Sequence, residues 1–122
     1  MRGLAQEFDC AIWTASQTNR GGLNAEVITM EQISEAFNKC FVADFICTVS
    51  RTIEDKAANT GRMFVAKNRN GPDGIVYPAQ INWASVSIDV LPDDGETLEE
   101  VKQKSLADKK AELFKKYRNN KE

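Results

Sequence analysis

The sequence predicts an α/β fold with a mixed sheet of about five strands, flanking helices and a C-terminal helix. Three observations support this prediction. Residues 10–15 and 45–49 are apolar without polar alternation, which is typical of parallel strands covered by helices on both faces. Residues 62–91 hold three β-prone runs separated by turn residues, which indicates antiparallel strands. Residues 97–118 begin with a capping pattern and repeat apolar side chains at helical spacing.

The N-terminal elements are predicted from local patterns. Leu4, Ala5 and Phe8 suggest the end of an amphipathic helix that leads into the first buried strand, in which Trp13 would belong to the core. Residues 20–25 form a polar loop. Thr29 and Gln32 make a capping box, so a helix is expected from about Met30 to Phe41, followed by the second buried strand.

The C-terminal elements begin with a predicted loop over residues 54–61. Strands follow at 62–68, 75–81 and 86–91, the last two joined by a turn at 82–85. Residues 92–96 are the best internal boundary, which gives one unit at 1–91 and a helical extension at 92–122. The extension's helix should start at a capping box of Thr97 and Glu100, and its apolar stripe should pack on the sheet or on a partner protein.

Composition limits the possible functions. The chain has 122 residues, a net charge of −2 and 28% charged residues, so any contact with nucleic acid must use local cations and not a basic surface as a whole. Its three cysteines form no C-x-x-C pair and there is no histidine, so we expect reduced, intracellular cysteines in the core, no metal site and no His-dependent catalysis. No apolar run reaches membrane-spanning length, and we expect no membrane partner.

The most informative segment is the predicted hairpin at residues 65–76. Alternation along a strand would place Lys67 and Arg69 on one face, next to a tight turn at Asn70-Gly71-Pro72-Asp73-Gly74. Two cations held near a rigid turn are suited to contacting a phosphate on another molecule. The alternative is an ordinary hairpin with solvated cations.

Three motifs in one order carry a resemblance to a known family. They are Ser16-Gln17-Thr18-Asn19-Arg20 after the first strand, Ala43-Asp44 before the second, and Lys67-Asn68-Arg69-Asn70-Gly71-Pro72-Asp73-Gly74 in the hairpin. From Leu4 to Leu91 the chain resembles the C-terminal half of the RecA-like, P-loop NTPase domain of DnaB-type hexameric replicative DNA helicases, in particular the versions of tailed bacteriophages. The resemblance implies cytoplasmic location, which is the host cytoplasm for a phage protein.

The resemblance implies roles for individual residues. Gln17 would sense the γ-phosphate and orient the attacking water, while Arg69 would be an arginine finger, with Lys67 as its companion cation, acting on a neighbouring subunit. The loops at 20–41 would face single-stranded DNA. Here the chain departs from the family, which has a basic residue in place of Ser34 and a glycine in place of Phe37. The candidate DNA-binding residues are Arg20, Ser34, Glu35 and Lys39.

Two elements of a complete motor are missing from the sequence. There is no G-x-x-x-x-G-K-[ST] loop, and no apolar strand ends in an acidic residue that would hold Mg²⁺. We therefore expect an expressed fragment, a truncated frame or one part of a split gene. Its partners would be the missing N-terminal half with the Walker A and B elements, single-stranded DNA and further copies in a homo-oligomeric ring. ATP and Mg²⁺ would bind only the full assembly, and the isolated chain is expected to be inactive.

Other interpretations remain open at this stage. The chain can also be a non-catalytic interaction module, or a piece of another RecA-like ATPase such as a recombinase or clock-type protein. Asp44 can cap the second strand or pair with Arg51, which gives it a structural role. Trp83 lies near a turn, where packing is favoured over contact with an adenine.

Overall fold

The computed structural model describes residues 1–33, 37–92 and 95–119, in which an antiparallel, curled sheet of five strands is accompanied by four α-helices. The helices are α1 (Arg2–Glu7), α2 (Phe37–Val42), α3 (Ile53–Ala58) and α4 (Leu98–Asn119). The strands are β1 (Phe45–Ser50), β2 (Thr60–Asn68), β3 (Ile75–Asn82), β4 (Ser87–Val90) and β5 (Glu96–Thr97).

Strands adjacent in the sequence are adjacent in the sheet, in the order β1-β2-β3-β4, and β5 also pairs with β3. The three strands predicted between residues 62 and 91 are confirmed as β2, β3 and β4. The β2–β3 pairing begins at Val65 and Ile75, where the Gly74 N–H donates to the Val65 carbonyl at 2.8 Å. Gly74 has φ +74°, a left-handed conformation that favours glycine at the end of this loop.

The predicted mixed sheet is wrong, because every strand pair in the described residues is antiparallel. The expected parallel strand at 10–15 has no strand structure, and its residues are exposed. Trp13, predicted to be core, is 77% exposed and packs its ring edge-on against Phe45 at 6.0 Å between centroids. A strand needs a paired strand beside it, and no described strand pairs with this run. Cys10, predicted to be a core residue, is exposed.

The predicted helix at 30–41 is interrupted. The capping box of Thr29 and Gln32 is confirmed, with the Thr29 N–H donating to Gln32 Oε1 at 2.8 Å, but it starts only a 3₁₀ turn at Met30–Gln32. Ile33 is extended and forms an antiparallel bridge with Thr18, which ends the turn. The α-helix that follows, α2, is confined to Phe37–Val42.

The loop predicted at 54–61 is also wrong, since α3 occupies most of it. Thr52 and Asp55 form a capping box at its start, and Asn59 ends it in the left-handed conformation at φ 55°. Asp55 also accepts from Arg62 at 2.8 Å and from the Thr60 hydroxyl at 3.2 Å, which joins α3 to β2.

We expect Asp55→Asn to lower the free energy of unfolding by about 1 kcal/mol at neutral pH. Burial acts to raise the pKa of Asp55, but the Thr52 N–H, the Arg62 charge and the Thr52 and Thr60 hydroxyls outweigh it, so the pKa is lowered. A carboxylate with a lowered pKa stabilises the fold above its unfolded value of about 3.9 and loses that effect as the pH falls through the folded pKa.

Urea denaturation of both proteins from neutral to acid pH measures this difference. The gap between wild type and Asp55→Asn should close as the pH falls through the native pKa of Asp55. Glu54→Gln is the matched control, because Glu54 lies in the same first turn of α3 and is exposed. A gap that is constant with pH, or an equal loss in the control, would contradict the electrostatic explanation.

The predicted C-terminal helix is confirmed as α4. The Thr97 N–H donates to Glu100 Oε2 at 2.8 Å, which closes the predicted capping box. Only the first turns of α4 lie against the sheet, where Val101 borders a cleft of about 330 Å³ with Val76 and Pro78. The apolar stripe farther along the helix does not pack on the sheet, since its described members are exposed: Leu106, Leu113 and Phe114.

The core lies mainly on β2 and β3, which supply most of the buried apolar side chains in the described residues. These are Phe64, Val65, Val76, Ala79 and Ile81, joined by Ile28 and Cys40. The segment at 26–28 lies across β1, because the Thr48 hydroxyl donates to the Ile28 carbonyl and the Ser50 hydroxyl to the Glu26 carbonyl, both at 2.6 Å. The sheet thus has a firmly packed centre, and two side chains of β1 hold residues 26–28 against it.

Candidate functional site

The candidate site is the end of β2 together with the turn that follows it. Asn68 organises this turn, as its amide nitrogen donates to the Pro72 carbonyl at 3.3 Å and its oxygen accepts from the Asn70 N–H at 3.3 Å. A side chain at Gly71 would place its Cβ 2.8 Å from the Asn68 amide nitrogen, so the turn closes tightly there. This local network fixes the backbone from which Lys67 and Arg69 extend.

A β-bulge changes the direction of Lys67. Cys47 pairs with Val65, whereas Ile46 pairs with Lys67, so Ala66 is the additional residue on β2. Residues 65 and 67 would share a face in a regular strand, but the bulge places them on opposite faces. The sequence alone gave no indication of this bulge, because its cause is the pairing with β1.

Lys67 contacts the C-terminal end of α2. Its ammonium group donates to the Cys40 carbonyl at 2.9 Å and to the Phe41 carbonyl at 3.4 Å. The last carbonyls of a helix have no partner within the helix and carry partial negative charge, so a cation there is favourable. In this chain Lys67 therefore closes the α2 terminus.

Arg69 contacts the connection between α2 and β1. Its Nη1 lies 2.7 Å from Asp44 Oδ1, and its backbone N–H donates to the Asp44 carbonyl at 2.9 Å. Arg2 of α1 binds the same Asp44 oxygen at 3.2 Å. Asp44 was expected to cap the strand or pair with Arg51. The pairing with Arg51 is wrong, because the two arginines that bind Asp44 are Arg2 and Arg69.

The structure thus brings Lys67 and Arg69 to one short stretch of chain, residues 40–44 at and after the end of α2, through different acceptors. The side chains of Arg69 and Asp44 are 43% and 57% exposed. An ion pair exposed to this extent contributes about 0–1 kcal/mol, so a stronger anion can replace the carboxylate at little cost. The local geometry therefore holds the Arg69 side chain in position, while its anionic partner can be exchanged.

Gln17 and Arg20, the predicted site residues described outside the hairpin, do not join this group. Gln17 is exposed in a segment without secondary structure, and no described hydrogen bond links it to Lys67 or Arg69. Arg20 is exposed at the start of a 3₁₀ turn at Arg20–Gly22, whose Gly21 N–H donates to Asn19 Oδ1. Lys39 belongs to α2, but its side chain is outside the description, and Ser34 and Glu35 lie outside the described residues.

Arg51 and Trp83 form a contact that the sequence analysis did not identify. The guanidinium carbon of Arg51 lies 4.3 Å from the centroid of the Trp83 ring, a cation–π geometry. Arg51 Nη1 is buried and has no hydrogen-bond partner within the described structure. Trp83 remains 60% exposed, so it packs against the arginine with part of its surface only. Arg51 and Trp83 are 32 positions apart, so no local sequence pattern predicts their contact.

The described residues contain no group of three or more Cys, Asp or Glu side chains placed to hold a metal ion. No helix in the same part of the chain has the length and apolar character needed to cross a bilayer. In comparisons with known proteins, no family model, no curated protein and no solved structure matches this chain.

Proposed function

We propose that this chain is the C-terminal half of a RecA-like helicase motor of the DnaB type, and that its hairpin supplies Arg69 and Lys67 to a phosphate bound by a neighbouring subunit. The observation that carries the proposal is the pair of cations at the end of β2. Lys67 donates to carbonyls at the end of α2, and the described side-chain contact of Arg69 is one exposed carboxylate, that of Asp44. The three motifs that resemble those of DnaB-type helicases supply the family.

The chemistry of this proposal is charge placement. Phosphoryl transfer requires positive charge around the transferred group more than it requires covalent chemistry from the protein. A planar guanidinium can donate two parallel hydrogen bonds to phosphate oxygens. In the described contact with Asp44, Arg69 uses one nitrogen, Nη1, on one carboxylate oxygen. Because the cation comes from a different subunit than the nucleotide, hydrolysis would depend on ring assembly.

The nucleotide itself would be held by other residues. This chain supplies cations but lacks a G-x-x-x-x-G-K-[ST] loop and an acidic residue at the end of an apolar strand. A second half with these elements, ATP and Mg²⁺, single-stranded DNA and further copies in a ring are therefore the proposed partners. Within this chain, Gln17 would position water near the phosphate, and Arg20 and Lys39 would approach the DNA backbone.

The direct test is to read the coding DNA upstream of this chain and to express whatever half it encodes together with it. The proposal expects an upstream frame with a Walker-type motif, and ATP hydrolysis by the joint complex that single-stranded DNA stimulates. An upstream sequence without such a frame, or a stable complex without hydrolysis, would contradict it.

We expect the isolated chain neither to bind nor to hydrolyse ATP, because the elements that hold phosphates and Mg²⁺ are missing from its sequence. Titration calorimetry with Mg-ATP and a phosphate-release assay measure this. Micromolar affinity, or turnover above the protein-free rate, would show that the chain holds nucleotide in a way the proposal does not include.

A second candidate function is a non-catalytic interaction module. The observation in its favour is that Lys67 and Arg69 already have acceptors within the chain, so that a structural role accounts for both. Under this alternative, removal of either cation would lower stability and leave any hydrolysis by a complex unchanged. A piece of a different RecA-like ATPase is disfavoured, because such proteins need not carry the hairpin motif.

A further inference from the structure

One edge of the sheet is open. Within the described residues β1 pairs with β2 alone, so its other edge presents N–H and C=O groups to which no described strand is bonded. Natural proteins usually protect such edges with charged residues or proline. Phe45–Ser50 contains no charged residue, no glycine and no proline, which is the composition of a strand prone to pair with another.

Exposed apolar side chains lie on β1, at the end of α2 just before it, and at Trp13. We define the β1 surface as Trp13, Val42, Phe45 and Val49, which are 77%, 48%, 37% and 41% exposed. Trp13 belongs to the β1 surface because its ring contacts that of Phe45. Exposed apolar side chains together with unpaired backbone groups favour association over solvation.

The total accessible surface indicates how much of the chain is left uncovered. The chain exposes 9670 Å², whereas a compact monomer of 13.6 kDa is expected to expose roughly 6,600 Å². The difference, about 3,000 Å², exceeds the roughly 800 Å² that each partner buries in an interface of standard size. The chain as a whole therefore leaves uncovered more surface than one such interface needs.

We propose that a second copy of this chain covers the β1 edge, with the two β1 strands paired antiparallel about a two-fold axis. Across such an axis, a residue of one β1 strand and the residue opposite it in the second copy point to the same face of the joined sheet. With the axis at Cys47, Phe45 lies opposite Val49 of the second copy, so apolar residues meet apolar residues on that face. The strand has no charge that would repel its own copy or select a different partner.

This inference does not rest on the proposed function. One edge accepts one strand, so a nucleotide-binding half that added a strand at β1 would displace the second copy. Failure of the dimer would leave the upstream-frame experiment unaffected, and failure of that experiment would leave the dimer unaffected.

Light scattering coupled to size-exclusion chromatography of the purified full chain tests the proposal. The wild type should show about twice the 13.6 kDa of one chain and should dissociate on dilution. Val49→Lys should be monomeric at concentrations where the wild type is dimeric, because a lysine on an edge strand opposes pairing. Val90→Lys on β4 is the matched control, as Val90 is 43% exposed against 41% for Val49, and it should remain dimeric.

Circular dichroism shows whether each variant is folded. If Val49→Lys does not fold, hydrogen exchange of the wild type decides, because the outward amides of β1 should be protected at high concentration and exchange on dilution, while those of β4 should not change. A wild type of single-chain mass at every concentration, equal dissociation by both lysine variants, or β1 exchange independent of concentration would each overturn the proposal.

Discussion

Arg69→Ala is expected to slow ATP hydrolysis by a complete assembly containing this chain about 10³- to 10⁵-fold, the range for loss of an arginine finger. Folding should be intact, because Arg69 is an exposed residue whose described side-chain contact is one ion pair. An exposed pair contributes at most about 1 kcal/mol, far less than the effect expected on the rate. The measurement is steady-state hydrolysis at saturating ATP and single-stranded DNA.

Arg2→Ala is the matched control for this experiment. Arg2 and Arg69 are both 43% exposed, and both bind Asp44 Oδ1, at 3.2 Å and 2.7 Å. If the effect of Arg69→Ala came from a disturbed Asp44, removing Arg2 should reproduce part of it. We expect Arg2→Ala to hydrolyse ATP within about threefold of wild type, and Arg69→Lys to restore little, because lysine lacks the planar fork.

The action of Arg69 should also be in trans. Rings mixed from Arg69→Ala subunits and subunits with a defective phosphate-binding loop contain some interfaces with an intact cation and an intact nucleotide pocket. These mixed rings should hydrolyse ATP although neither parent does. Arg69→Ala rings that hydrolyse within about threefold of wild type would disprove the finger role, and Arg69 would then serve only the contact with Asp44.

The parts of the fold that the sequence predicted well have their cause within a few residues. The turn at 70–74 contains the glycine and proline positions that a tight hairpin needs, and β2 and β3 follow from it. Likewise, α4 begins at the Thr97 capping box because Glu100 lies three residues beyond. Thr52 and Asp55 show the same local pattern, and they form the capping box at the start of α3.

The parts that the sequence did not predict depend on distant partners. The apolar run at 10–15 has strand composition, but a strand requires a neighbour, and the described residues provide none. The bulge at Ala66 follows from the register with β1, and the ion pairs of Asp44 join it to Arg2 and Arg69, which are distant in the sequence. The sequence therefore predicted which residues belong to the candidate site, Lys67 and Arg69. Their contacts with residues 40–44 could be found only from the structure.

Phe64→Ala is expected to lower the free energy of unfolding by about 3–5 kcal/mol, the cost of replacing a buried phenyl ring. Phe64 is 6% exposed in the middle of β2, opposite Thr48 of β1 and Val76 of β3. Phe64 therefore lies between β1 and β3, at the centre of the sheet from which the hairpin extends. A small domain has a total stability of about 5–15 kcal/mol, so this one change should remove a large share of it.

Phe114→Ala on α4 is the matched control, since it deletes the same ring at a position that is 75% exposed. Its effect should stay within about 0.5 kcal/mol, as for other surface changes. Urea denaturation of both variants and wild type, followed by circular dichroism at a fixed protein concentration, gives the two values, and equal slopes would show that the same surface unfolds. Equal losses in both variants would mean that α4 is packed as firmly as the sheet, and the assignment of the core to β2 and β3 would be wrong. If Phe64→Ala lowered the free energy of unfolding only slightly, the sheet would have closed around the cavity. The core below the hairpin with Lys67 and Arg69 would then be more adaptable than the burial of Phe64 indicates.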